Sequence, residues 1–272
     1  QVLRITTYWG LDSLPLPVID FCCQNKYASW GKVAGDVLGR KTILWTELEE
    51  SFNSGFTSMA GPMRAAIKYG RTYLVEYWAE SNTLDAGSVA TTALFGRLDY
   101  LELFHSNGCP WDHMTCRGAA ANGHLDCLKF AHENGCPWDV RTCQAAAKQG
   151  HLRCLEYAHT QGCPWDVSVC VAAAQYGNLQ CLEYAHQQGC PWDVSVCVAA
   201  AYAGRLQCLQ YAHLHGCPWD ETVILSADRA GHRKIVHYAY LSGCPVPIGD
   251  LICFKVCLGG LLTLTLILKM CG

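Results

Sequence analysis

Residues 113–139 read HMTCRGAAANGHLDCLKFAHENGCPWD, and the chain repeats this unit at an unvarying step of 27 residues. The closing Gly-Cys-Pro-Trp-Asp begins at Gly108, Gly135, Gly162, Gly189 and Gly216, and a decayed Gly-Cys-Pro-Val-Pro begins at Gly243. A fixed period of this size means one small unit stacked on itself into a solenoid. Within the unit, Cys116, Ala119 and Ala120 recur at helical spacing in an Ala-rich stretch. Gly123 stands where a helix needs a left-handed cap. A second helix is predicted over 124–133, with Leu125, Cys127, Leu128 and Ala131 on one side. Gly135 ends it, Pro137 cannot continue it, and Asp139 is placed to N-cap the next helix. The expected architecture is all-α, helix–turn–helix–turn, with no strand.

The other copies obey the same rules. Ala146-Ala147, Ala173-Ala174 and Ala200-Ala201 repeat the small pair, and Gly150, Gly177, Gly204 and Gly231 repeat the cap. Leu155, Leu182, Leu209 and Val236 repeat the core of the second helix. Trp111, Trp138, Trp165, Trp192 and Trp219 are expected to form a structural ladder along one edge, each contributing about 2–3 kcal/mol.

This pattern resembles the ankyrin repeat. Residues 122–129 (NGHLDCLK) match the family's second-helix start, Ala119-Ala120 its Ala pair, and Gly135 the Gly of its closing turn. Two features depart from it. The family's T-P-L-H opening is reduced to Thr115 and Thr142, with Cys116 and Cys143 in the buried Leu slot. The unit also falls short of the family's roughly 33 residues. The missing residues fall between Trp138-Asp139 and the next helix, so the resemblance implies a short, 27-residue GCPWD-type variant lacking long β-hairpin fingers. It also implies a non-catalytic scaffold for protein–protein interaction.

Outward from the array, 57–272 divides into about seven repeats and a degenerate C-terminal cap. The apolar run 256–268 (VCLGGLLTLTLIL) is bounded by Lys255 and Lys269, and its thirteen residues fall short of the about 20 that a membrane span needs. A capping or interface helix is the expectation. Residues 1–56 stand outside the repeat. Leu14-Pro15, then Val18-Ile19, Trp30 and Leu44-Trp45 loosely resemble an F-box, with a shorter spacing and a polar middle at Gln24-Asn25-Lys26. The alternatives for this segment are an N-terminal helical cap or a degenerate F-box-like head. The second would make the chain a substrate-recognition subunit of a ubiquitin ligase. A structural subunit of a larger assembly is a third role, in which neighbours bury the apolar end.

Composition narrows the partners. A net charge of −3 with no Lys/Arg run argues against nucleic acid. Nineteen cysteines suggest a disulfide framework, but the count is odd and thirteen of them, Cys109 to Cys217, follow the repeat at steps of 7, 11 and 9. Buried reduced thiols in core slots are expected instead, and with them a reducing compartment, cytoplasm or nucleus. The chain opens on Gln1 without Met, as a fragment or a processed form does. His105, His132, His159, His186 and His213 each precede a turn cysteine by four residues. A metal pair is conceivable, but Gly ends the helix between them, and the expected role is packing against the tryptophans. No phosphate loop, HExxH or GxSxG occurs. Neither a catalytic site, a metal nor a cofactor is expected.

In a solenoid the invariant positions hold the stack and the variable ones face outward. Comparing the copies, variability falls on the first helix, at Arg117, Gln144 and their equivalents Val171, Val198 and Leu225. It falls again at Lys148, Gln175, Tyr202 and Arg229, and beside these at Gln149 and Tyr176. Ankyrin-like stacking puts these residues on the concave side, so they are the candidate contacts for a partner protein.

Overall fold

The computed structural model describes residues 84–246 continuously and, before them, residues 64, 66–68, 70, 72, 75, 76 and 79. Twelve helices follow one another over 84–246 in six pairs: α1 (Ala86–Leu94) with α2 (Leu98–Ser106), α3 (His113–Ala121) with α4 (Leu125–Glu133), α5 (Val140–Gln149) with α6 (Leu152–Thr160), α7 (Val167–Tyr176) with α8 (Leu179–Gln187), α9 (Val194–Tyr202) with α10 (Leu206–Leu214), and α11 (Glu221–Arg229) with α12 (Arg233–Leu241). No strand occurs among the described residues. The F-box-like head, the apolar run 256–268 and the terminal cap lie outside them.

Each repeat is punctuated by two local devices. The carboxylates of Asp112, Asp139, Asp166, Asp193 and Asp220 accept the N–H of the residue two further on, each at 2.9 Å. These N-caps contribute about 1 kcal/mol apiece. Because the capped helix starts at the next residue, no room is left for a finger. At the other end, Gly150 sits at φ 79, and its N–H donates to Ala147 O while His151 N–H donates to Ala146 O at 2.9 Å. A side chain there would be strained by the left-handed backbone and would meet Asn178 Oδ1 at 2.8 Å.

Two layers result. The odd-numbered helices pack directly side by side, while the even-numbered ones make far fewer contacts with each other. Small residues explain the close layer: a Cβ on Gly118 would lie 3.3 Å from Ala90 O in the preceding first helix. The wider layer is filled by larger groups. Leu128, Leu155, Leu182 and Leu209 are wholly buried there. The first helices are therefore the close, inner layer and the second helices the wide, outer one.

The tryptophans form a composite ladder. Trp165 stacks on His159 at 3.8 Å and meets the edge of Tyr184 at 6.3 Å, and the other repeats copy this, with Phe130 in place of Tyr in the first. No Trp–Trp ring pair occurs among the described residues, so the expected ladder runs through His and Tyr. The tryptophans are half-buried. His159 Nδ1 lies 3.0 Å from Tyr184 Oη, and His186 Nδ1 lies 3.1 Å from Tyr211 Oη. Burial pushes both phenols up, which keeps them protonated. Burial also holds the His159 ring below the usual imidazole value of 6.5, and for His186 burial is joined by neighbouring His215.

A pH dependence follows. A histidine whose folded value is depressed prefers the neutral ring, so the unfolded chain binds more protons as pH falls. The associated stability is present above about pH 6.5 and declines below it. Urea melts between pH 7.5 and 5 are expected to show a falling midpoint, and His159→Phe with His186→Phe to flatten that dependence. An unchanged slope in the double variant would assign the pH response to other groups.

Candidate functional site

The exposed surface of the inner layer is set by helix periodicity. Residues at i, i+3 and i+7 share a face, which gives Met114, Arg117 and Ala121 on α3, and Arg141, Gln144 and Lys148 on α5. The same face carries Ser168, Val171 and Gln175 on α7, then Ser195, Val198 and Tyr202 on α9, and Thr222, Leu225 and Arg229 on α11. The middle row, Arg117, Gln144, Val171, Val198 and Leu225, is half-buried between neighbouring helices. Lys148, Gln149, Gln175, Tyr176, Tyr202 and Arg229 are exposed. All eight expected contact residues therefore lie on one layer.

Two aromatic side chains stand out in it. Tyr202 is 60% exposed and Tyr176 42%, among only five large hydrophobic side chains so exposed in the described residues. The Lys148 ammonium lies over the Tyr176 ring, 4.9 Å from its centroid, joining two repeats through a cation–π contact. No carboxylate among the described residues lies within ion-pair distance of Arg117, Lys148 or Arg229, and Arg141 reaches Asp139 only at 3.9 Å.

The backbone beneath these side chains is tied down by the next repeat. Asn178 Nδ2 donates to the carbonyls of Ala147 and Lys148, both at 2.8 Å. Arg205 Nε donates to Gln175 O at 3.3 Å, and His232 Nε2 lies 3.0 Å from Tyr202 O. The residue after each cap glycine thus holds the helix end that presents Lys148, Gln175 or Tyr202. The sequence reading missed this role, although every copy has a donor there (His124, His151, Asn178, Arg205, His232). It also missed Arg141, which the i, i+3, i+7 spacing to Gln144 and Lys148 would have found.

The other chemistry-bearing groups point inward. All fourteen described cysteines from Cys109 to Cys244 are free and buried. The Cys136 thiol donates to Asp112 O at 3.2 Å, and Cys163, Cys190, Cys217 and Cys244 repeat this bond to Asp139, Asp166, Asp193 and Asp220. It fastens each turn to the start of its own first helix. Cys116, Cys143, Cys170 and Cys197 sit behind these sulfurs, and the hydrogen bond to Cys136, reinforced by burial, pushes the Cys116 thiol up. Burial also pushes Cys127 up to about 12 and Cys154, Cys181 and Cys208 up to about 11. Thiols held protonated are poor nucleophiles. The five histidines stack on tryptophan while their neighbouring cysteines face the core. Among the described residues no group of three or more His, Cys, Asp or Glu is arranged to hold a metal ion. No described helix is long and apolar enough to cross a membrane.

No family model matches the chain, and no curated protein sequence does. Among solved structures, the ankyrin repeat domain of human ASB11 is similar, at 18% identity and a TM-score of 0.51, over 57% of this chain and 83% of that one. The fold is an ankyrin-like helical repeat array.

Proposed function

We propose that this ankyrin-like array is a non-catalytic scaffold that binds a partner protein on its inner helical layer. The observation that carries the reading is the exposure of Tyr176 and Tyr202 on the inner layer, with Lys148 over Tyr176. Tyrosine and arginine are among the residue types that dominate binding energy at protein interfaces. The backbone at Lys148, Gln175 and Tyr202 is held by Asn178, Arg205 and His232, so binding costs little ordering of the surface. Free thiols in every described repeat fit a reducing compartment, cytoplasm or nucleus, as the site of action.

The test is affinity capture under reducing conditions, beside a variant carrying Lys148→Glu, Tyr176→Ala, Tyr202→Ala and Arg229→Glu. All four positions are exposed, so the variant is expected to keep the wild-type circular dichroism spectrum. A partner retained by the wild type and lost by the variant supports the reading. Partners indifferent to the changes would place binding elsewhere on the chain.

A further inference from the structure

From α3 to α8 the inner and outer layers differ in charge in a way the whole-chain value conceals, and the last pair reverses it, with Glu221 and Asp228 against Arg229 on α11 and Arg233 and Lys234 on α12. Helices α3, α5, α7 and α9 carry Arg117, Arg141 and Lys148 and no acidic residue. Their outer partners α4, α6 and α8 carry Asp126, Glu133, Glu156 and Glu183 against Lys129 and Arg153. Along α3 to α9 the carboxylates nearest the inner face are the N-cap aspartates at its edge, which accept helix N–H groups, while Glu221 and Asp228 lie on α11. A chain of net charge −3 therefore presents a locally cationic inner surface over α3 and α5.

That surface is also graded. Its middle row runs from Arg117 and Gln144 to Val171, Val198 and Leu225, and its exposed end row from Lys148 through Gln175 and Tyr202 to Arg229. Three of its four cations lie on α3 and α5, and the apolar and aromatic groups on α7 and α9. The four helices α3, α5, α7 and α9 at the usual spacing of about 8–10 Å make a strip about 24–30 Å long. An extended segment rising about 3.4 Å per residue covers it with about 7–9 residues.

We propose that the occupant of the inner layer is an extended acidic segment of a partner protein, its carboxylates on Arg117, Arg141 and Lys148 and an adjoining apolar stretch on Val171, Tyr176, Val198 and Tyr202. This rests on the inner-layer reading above and specifies its chemistry. Opposite charge steers the encounter and sets the register, while the aromatic half supplies the desolvated contact. Glutamine at Gln144 and Gln175, between the two halves, can bond the segment's backbone without selecting its side chains.

The experiment is selection of random 12-residue displayed peptides on the full chain. Anisotropy titrations of the selected peptides then follow on the wild type, on Arg117→Glu/Arg141→Glu/Lys148→Glu, and on Tyr176→Ala/Tyr202→Ala. Arg141→Glu/Lys148→Glu, at two exposed positions, replaces the triple variant if half-buried Arg117 does not tolerate reversal. Enriched peptides should be acidic with a flanking apolar stretch, lose at least about tenfold in affinity on charge reversal, and weaken with salt. Neutral or basic peptides lost only on removing the tyrosines would overturn the acidic chemistry and leave the inner layer as the site. No enrichment, or peptides indifferent to both variants, would overturn both. Single-stranded poly(U) bound as well as the best peptide, and lost on charge reversal, would replace the protein segment with nucleic acid.

Discussion

Replacing Leu182 with Ala is expected to lower the unfolding free energy by about 3–4 kcal/mol. The side chain is wholly buried in α8, at the middle of the array, between the cysteines and alanines of its neighbours. Truncating a buried Leu loses the transfer free energy of the removed methyl groups and leaves a cavity, together about 2–5 kcal/mol. The second helices stand apart from one another, so little nearby backbone can collapse into the space. A stack contacts only its neighbours, so a weakened central repeat also uncouples the two halves. Urea melts followed by circular dichroism should therefore broaden as well as shift. A loss below about 1 kcal/mol with an unchanged slope would show that the outer layer repacks.

Trp165→Ala carries the second large effect, expected at about 2–3 kcal/mol. The ring is half-buried rather than enclosed, which places it below the 3–5 kcal/mol of a fully buried aromatic. Its contribution comes from one face on His159 and an edge on Tyr184 of the next repeat, so it works across a repeat junction. A double-mutant cycle with Tyr184→Ala should return a coupling of about 0.5–1.5 kcal/mol. Zero coupling would mean that the ring stabilises its own turn alone. Trp165→Phe is expected to retain part of the stability, since it keeps a face for His159.

Both predictions rest on residues that could be read before any coordinates. The period of 27 fixed the unit, and the glycine and aspartate at set offsets fixed where its helices start and stop. The positions facing the core followed from spacing. The candidate contact residues were chosen for a different reason: the copies are an internal comparison, and these positions vary between them. Arg141 escaped because it was judged by its own column and not with Gln144 and Lys148 on its helix. The role of Asn178, Arg205 and His232 escaped because three residue types supply the same donor, which masks a constant function as variation.

Sequence alone determined the repeat, its helical boundaries, the absence of a finger and the reduced, buried state expected of its cysteines. Each of these is local: caps, helix breakers and periodicity act within a few residues, and 27 residues hold all the signals. Tertiary structure decided what crosses from one repeat to the next. It set a tyrosine of the next repeat edge-on against the central His–Trp stacks, turned each turn thiol onto a carbonyl 24 residues back, and laid Lys148 over Tyr176. It also gathered three of the four inner-layer cations on two adjacent helices, α3 and α5, of a net acidic chain. Those contacts depend on how far apart the stacked helices sit, and that spacing is set by the sizes of small inner and large outer side chains packed together.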